Sequence, residues 1–139
     1  MTEVGEMNEN LNSKVSYENM KKIVKNYYLQ QERNVDLRIT NEIDTDRFSG
    51  TVVTTMELVE KTKIAGVETK VSTVLSINDL KEILNNILEE EGKELVELKS
   101  NAFASTRVEG HHMGEHTVKY VSDKSFTITV KPKTKSHTR

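Results

Sequence analysis

The sequence contains no cysteine and no tryptophan, and these absences exclude whole classes of protein. Without cysteine the chain has no disulfide scaffold, no thiol nucleophile and no thiolate metal site, and nothing indicates an oxidising compartment. We therefore expect a cytoplasmic protein, which lies in the host cytosol if it is phage-encoded. Aromatic residues make up only 5% of the chain, so valine, isoleucine and leucine must build the core.

Long apolar runs and an excess of one charge are also missing. No run approaches the roughly 18 residues of a membrane span, and the first residues lack the order of a signal peptide, so we expect no membrane partner and no export. Lys and Arg number 20 and Asp and Glu number 22, which gives a net charge of −2. This balance is unlike that of proteins that bind duplex nucleic acid, so we predict no specific nucleic-acid partner.

The length of 139 residues suits one domain between two polar ends. Residues 1–14 carry three Glu and one Lys, and residues 131–139 carry four basic groups and no acid. We predict a disordered N-terminal tail over 1–14, a single α+β domain over 15–130 and a basic disordered C-terminal tail over 131–139.

Two segments show helical spacing of their apolar residues. The first is predicted as a helix over about 17–32, with Ser16 as its N-cap. The second is predicted as a helix over about 77–91, with a full apolar stripe and a capping-box pattern formed by Ser76 and Asp79.

The remaining periodic segments predict strands. Alternation over 35–40 indicates a short strand, and the Val- and Thr-rich stretch 50–76 indicates a hairpin that turns at Ala65-Gly66 and places Ile64 opposite Val67. A strand over 95–103 and a hairpin of 118–120 with 126–130 complete the pattern. The fold class predicted is α+β, with two helices on a mainly antiparallel sheet of about six strands, in the order α-β-β-β-α-β-β-β.

The predicted 50–76 hairpin has apolar residues on both faces. A lone hairpin that projects into water does not cover both, so we expect a homo-oligomer built on dimers.

The segment from Thr106 to His116 is the least ordinary part of the chain, because it holds three of the four histidines and two of the six glycines. His112, Glu115 and His116 match the H-x-x-E-H pattern of inverted zinc peptidases. That chemistry needs a helix, and Gly110 and Gly114 each disfavour one by roughly 1 kcal/mol. A zinc-dependent hydrolase is therefore the least favoured hypothesis, and we predict neither a catalytic residue nor a bound metal.

The same segment has the donors of a phosphate-binding loop. Arg107 supplies a planar fork, its glycines allow backbone amides to approach an anion, and three imidazoles add donors. Phe103, with Tyr28 or its neighbour Tyr27, offers a face on which a base stacks, and Asn101 has the groups that read an adenine edge. The candidate ligand-binding residues are Arg107, His111, His112, His116, Phe103, Asn101 and Tyr28. The alternatives are a plain polar loop, core aromatic residues and a surface ion pair of the arginine.

No phosphate-binding P-loop, dinucleotide-binding fingerprint or esterase elbow is present in the sequence, so we predict neither a cofactor nor an enzyme. The size, the α+β layout over about 15–130 and the Arg/His/Gly loop from Thr106 to His116 resemble the small phage proteins that counter Thoeris immunity. This resemblance implies a non-catalytic anti-defence sponge, an oligomer that sequesters a cyclic nucleotide of the glycocyclic ADP-ribose type and releases it intact. The second hypothesis is a small phage or bacterial protein that inhibits or assists a protein partner.

Overall fold

The structure is a computed structural model that describes residues 10–44, 51–110 and 114–133. Within these residues the chain forms two helices and eight strands in three antiparallel sheets, which confirms the α+β class. The elements are β1 (Leu11–Ser16), α1 (Tyr17–Leu29), β2 (Val35–Asp44), β3 (Thr51–Ile64), β4 (Val67–Leu75), α2 (Ile77–Glu89), β5 (Lys93–Ser100), β6 (Phe103–Glu109), β7 (His116–Ser122) and β8 (Ser125–Pro132).

The expected single sheet of six strands is wrong. The strands form the sheets β1-β8-β5, β2-β3-β4 and β6-β7, and the element order is β-α-β-β-β-α-β-β-β-β. Two strands are additional to the prediction. The predicted strand over 95–103 is divided at Asn101 into β5 and β6, and β6 takes in residues 106–109 of the predicted loop. The other additional strand is β1, which pairs with β8 from Leu11 opposite Val130 to Ser16 opposite Ser125. Its signal was missed because only two of its six residues are apolar, as suits an exposed edge strand.

The structure therefore shows that both predicted tails are too long. Residues 11–14 of the expected N-terminal tail belong to β1, and Lys131 and Pro132 of the expected C-terminal tail belong to β8. Residues 1–9 and 134–139 lie outside the described part of the chain.

The predicted hairpin of β7 with β8 is also wrong. Strand β8 lies between β1 and β5, so both of its edges are already occupied. Strand β7 pairs instead with β6, from Phe103 opposite Ser122 to Glu109 opposite His116. The chain leaves one sheet and enters the other at Asp123, which has a φ of 54°.

The long hairpin of β3 and β4 is confirmed in its register. Ile64 pairs with Val67, as the sequence predicted, and the same register places Leu58 opposite Thr73. Ala65 and Gly66 have φ values of 52° and 81°, and two positive values are what a two-residue turn between twisted strands requires.

Both helices form where their patterns indicated, and each is slightly shorter than expected. The Ser16 hydroxyl accepts a hydrogen bond from the Asn19 amide, and Ser76 and Asp79 form the complete capping box. Each helix has 13 residues, and neither is long and apolar enough to cross a membrane.

One core joins the two helices and the two three-stranded sheets. Phe126 of β8 is fully buried and its ring centroid lies 5.3 Å from that of Tyr17 at the start of α1. The other buried members of this cluster are Met20, Val24, Leu37, Met56, Leu75, Leu80, Ile83, Leu84, Leu98 and Ile128. The described residues of the β6–β7 hairpin add no buried side chain to this cluster, so these two strands lie beside the core and not within it.

Candidate functional site

The β6–β7 hairpin brings together four residues whose side chains can bind phosphate or stack on a base. Because side chains alternate along a strand, Phe103 and Arg107 share one face of β6. The register places Ser105 opposite Tyr120 and Glu109 opposite His116, so Tyr120 and His116 lie on that same face. We call this face, with Phe103, Arg107, His116 and Tyr120, the platform.

The platform is open to solvent along its length. Phe103 is 52% exposed, Tyr120 is 39% exposed and the Arg107 side chain is 61% exposed. On the opposite face of β7, Val121 is half-buried and lines a groove with Ile39, which anchors the base of the hairpin against β2. The hairpin is therefore attached to the domain at its base, and the platform face is accessible to solvent.

Arg107 lies near the middle of this surface with its charge already partnered. Its Nε and Nη2 both contact the Glu109 carboxylate on the same face, and its Cζ lies 5.3 Å from the centroid of the Tyr120 ring. The ion pair is exposed, so its contribution to stability is about 0–1 kcal/mol and a stronger anion can displace it. The surface ion pair weighed in the sequence analysis is therefore present, and it leaves the guanidinium accessible.

Gly110 and Gly114 approach each other closely at the two described ends of the β6–β7 connection. Gly110 has a φ of 97°, and a Cβ at this position would collide with the carbonyl oxygen of Gly114. His116 Nδ1 lies 3.1 Å from the same carbonyl oxygen, and since a carbonyl only accepts, Nδ1 carries the proton. His111 and His112, the other two candidate histidines, lie outside the described residues.

The zinc-peptidase pattern does not have the required helix in its described half. Glu115 lies in the connection and His116 is the first residue of β7, whereas the chemistry needs both on one helical turn. Among the described residues no group of three or more His, Asp or Glu side chains is placed to hold a metal ion.

Asn101 does not join the platform, contrary to the prediction. It occupies the corner between β5 and β6, where its Nδ2 donates to Ser125 Oγ at 3.1 Å and to Thr127 Oγ1 at 2.8 Å. An amide nitrogen has two hydrogens, so both are used within the protein. Asn101 is a structural residue that holds this corner against β8.

Tyr28 is also separated from the platform. It lies at the C-terminal end of α1, where its ring contacts Tyr27 and the Arg33 guanidinium, at 4.9 Å from the ring centroid. The β6–β7 hairpin approaches α1 at its start, where Tyr17 and Val121 line the same groove. Tyr28 lies eleven residues after Tyr17, which is about 16 Å along the helix. Burial raises the pKa of the Tyr28 hydroxyl, and Arg33 opposes that effect.

Sequence reasoning missed Tyr120 and Glu109 as members of the site. The sequence places Glu109 in the loop from Thr106 to His116, and it assigns Tyr120 to a hairpin with β8, which would direct the ring to a different sheet. The correct partner of β7 is what places Tyr120 beside Arg107. A signal was available in the glycines that flank the histidine-rich segment, since they are typical of a hairpin connection.

A cavity of about 540 Å³ lies elsewhere in the molecule. It opens between the ends of β3 and β4, the start of α2 and the corner near Phe126, and it is lined by Thr54, Thr55, Met56, Val74, Leu75, Ser76, Ile77, Ser100 and Phe126. None of these lining side chains is basic, so the cavity offers no side-chain cation to pair with a phosphate. The platform remains the better candidate for an anion.

Comparison of the chain with protein families, with curated proteins and with solved structures finds no match.

Proposed function

We propose that the protein is a non-catalytic binding protein whose platform takes an anionic ligand with an aromatic base, in the class of the cyclic ADP-ribose isomers. One observation supports this proposal above the others. The β6–β7 register collects an arginine, a histidine and two aromatic rings on one exposed face. The biological role proposed with it is sequestration of such a signal, which antagonises antiviral immune signalling.

Arg107 is the residue that contacts the phosphate. Its guanidinium has a fork geometry that matches two phosphate oxygens, and charge-assisted bonds of this kind are among the strongest in proteins. The ligand competes with Glu109 for this group, so the Glu109 carboxylate weakens binding in the resting state. His116 lies at the tip end of the same face and adds an imidazole ring to it.

Phe103 and Tyr120 supply the stacking surface. Stacking of a base on an aromatic ring contributes roughly 1–3 kcal/mol and tolerates any base. Phe103 lies four residues from Arg107, about 13 Å along the strand, and Tyr120 lies between their positions across the ladder. The platform is therefore long enough to contact both the base and the phosphates of one ligand.

Calorimetric titration with cyclic ADP-ribose isomers tests this assignment in three variants. Arg107→Ala should weaken binding by about 30-fold or more, since the bound ligand covers the guanidinium and loss of one partner of a desolvated charge pair costs about 2–5 kcal/mol. Glu109→Gln should tighten binding by up to about five-fold, because it removes the competing carboxylate. Arg38→Ala is the matched control: Arg38 is another exposed arginine paired with a glutamate, Glu57, and it belongs to β2 and not to the platform.

The two variants at the platform must change the affinity in opposite directions. Equal affinity of the wild type, Arg107→Ala and Arg38→Ala would remove Arg107 from the site. Ligand recovered in a hydrolysed form would contradict the non-catalytic part of the proposal.

A protein-directed role is the second candidate, and the openness of the platform favours it. A small ligand that is held tightly is normally mostly enclosed, whereas Phe103, Arg107 and Tyr120 lie on a flat exposed face. Exposed aromatic residues and arginine are also the residue types that dominate protein interfaces. No heat with any isomer, together with recovery of intact ligand, would favour an inhibitor or accessory protein that uses this face against another protein.

A further inference from the structure

Strand β4 forms an edge of its sheet, and it is long and exposed. The sheet order is β2-β3-β4, and in the described part of the chain no strand pairs with the outer edge of β4. Eight of its nine residues are at least partly exposed, and only Leu75 is buried. A long edge without proline presents free backbone groups that another strand can pair with.

The hairpin geometry determines which residues point their backbone groups outwards. In a two-residue hairpin the closing pair, Ile64 and Val67, is hydrogen-bonded, and hydrogen-bonded pairs recur at every second residue. The odd-numbered residues of β4 therefore bond to β3. The even-numbered residues Glu68, Lys70, Ser72 and Val74 present their N–H and C=O groups to the outer edge.

A second copy of the chain can pair antiparallel with this edge, and the charges select the register. A two-fold axis at Glu68 or at Lys70 places like charges directly opposite each other, which is unfavourable. An axis at Thr69 places Glu68 of each copy opposite Lys70 of the other. An axis at Val71 leaves both charged residues opposite uncharged ones, so Thr69 is the centre that the charges favour.

The other face of the strand is complementary in the same register. With the axis at Thr69, Val67 of each copy lies opposite Val71 of the other, and Ile64 is the next residue across the ladder. These three side chains are 61%, 63% and 46% exposed for Ile64, Val67 and Val71 in the single chain. Pairing would form two symmetry-related apolar rows, each made of Ile64 and Val67 of one copy and Val71 of the other.

The single chain also carries an unfavourable pair that a second copy relieves. Lys70 lies directly opposite Lys61 in the β3–β4 register. Glu68 of a second copy supplies the opposite charge on the free side of Lys70.

We propose that two copies of this chain associate by antiparallel pairing of their β4 strands about Thr69, which joins their sheets into one sheet of six strands. This interface uses a surface separate from the platform. It gives a structural basis for the dimer that the two-sided apolar pattern of the hairpin leads us to expect, and it does not depend on any ligand.

Single cysteines test the register directly, because the natural chain has none. With the axis at Thr69, the two copies of a Thr69→Cys protein have their Cα atoms about 4.5–5.5 Å apart, within the range of a disulfide. In Val71→Cys the same atoms are about 14 Å apart. We expect mild oxidation to convert Thr69→Cys to a covalent dimer at least ten-fold faster than Val71→Cys.

Charge variants test the pairing without a cross-link. Lys70→Glu places Glu opposite Glu between copies but Glu opposite Lys61 within its own hairpin. It should therefore weaken dimerisation by about 10- to 100-fold while the monomer remains folded. Mixing Lys70→Glu with Glu68→Lys should restore association as a heterodimer, and Lys22→Glu on an exposed position of α1 is the control with the same charge change.

Sedimentation of the wild type and the variants gives a decision in each case. A wild-type species of 15.9 kDa at all micromolar concentrations would overturn the proposal. Faster cross-linking of Val71→Cys would overturn the Thr69 register. Equal dimerisation of Lys70→Glu and Lys22→Glu would show that another surface joins the copies, and would also overturn it.

Discussion

Replacement of Asn101 by alanine separates a structural role from the ligand-binding role that the sequence indicated. The change removes both side-chain hydrogen bonds by which the β5–β6 corner is held to β8. The backbone bond from the Asn101 amide to the Ser125 carbonyl, 2.9 Å long, does not depend on the side chain and is retained.

The expected loss of stability follows from the partners that remain. Each hydrogen bond contributes a net of about 0.5–1.5 kcal/mol, so loss of two costs roughly 2 kcal/mol. Ser125 is buried, but its hydroxyl still donates to Asp123 Oδ1 at 3.1 Å, so the penalty of a fully unpaired group is avoided. For a chain of this size, 2 kcal/mol corresponds to a fall in Tm of roughly 5–10 °C.

Urea unfolding followed by circular dichroism measures this change. Asn78→Ala, an exposed position in the first turn of α2, serves as the control and should change the unfolding free energy by less than about 0.5 kcal/mol. The affinity of folded Asn101→Ala for cyclic ADP-ribose isomers should equal that of the wild type. A large loss of affinity with unchanged stability would refute the structural assignment and return Asn101 to the binding site.

Three further changes test the packing, the helix start and the acid dependence. Phe126→Ala should lower the unfolding free energy by about 3–5 kcal/mol in urea titration, because it empties the fully buried ring site beside Tyr17. Ser76→Ala breaks the capping box and should cost about 1 kcal/mol in the same assay. The hydrogen bond from Lys14 lowers the pKa of the Asp123 carboxyl below its ordinary value of 3.8. The stability that this ion pair contributes is therefore present in full above pH 3.8 and is lost as the pH falls through the lowered pKa. Lys14→Met should therefore flatten the decline of stability below about pH 4, measured by urea midpoints across acid pH, and an unchanged decline would contradict this.

Local patterns predicted the elements whose pairing is also local. The turn at Ala65-Gly66 forces a two-residue hairpin, so the register of β3 with β4 follows from the turn alone. The capping residues Ser16 and Ser76 marked the helix starts because an N-cap acts on the first turn that follows it.

Pairing between distant segments was not predictable in the same way. Strand β1 meets β8 across more than a hundred residues, and nothing in six mostly polar residues encodes that partner. The partner of β7 depended on whether the edges of β8 were free, which is a property of the whole sheet.

The predicted site residues likewise separate into those that the structure brings together and those that it does not. Phe103, Arg107 and His116 were predicted and lie on the platform, whereas Asn101 is a corner residue and Tyr28 packs at the far end of α1. Proximity in sequence suggested a common site for Asn101 and Phe103, but the chain turns between them. Tyr120 could be placed only once the partner of β7 was known.

Amide hydrogen exchange with and without cyclic ADP-ribose isomers tests most directly whether the platform is the binding site. We expect added ligand to slow exchange in β6 and β7, the strands whose side chains form the platform. Exchange in α2 should be unchanged by the ligand. Ligand-induced protection around the cavity lined by Thr54, Ile77 and Phe126 would contradict the assignment of the platform. So would the absence of protection anywhere in the chain.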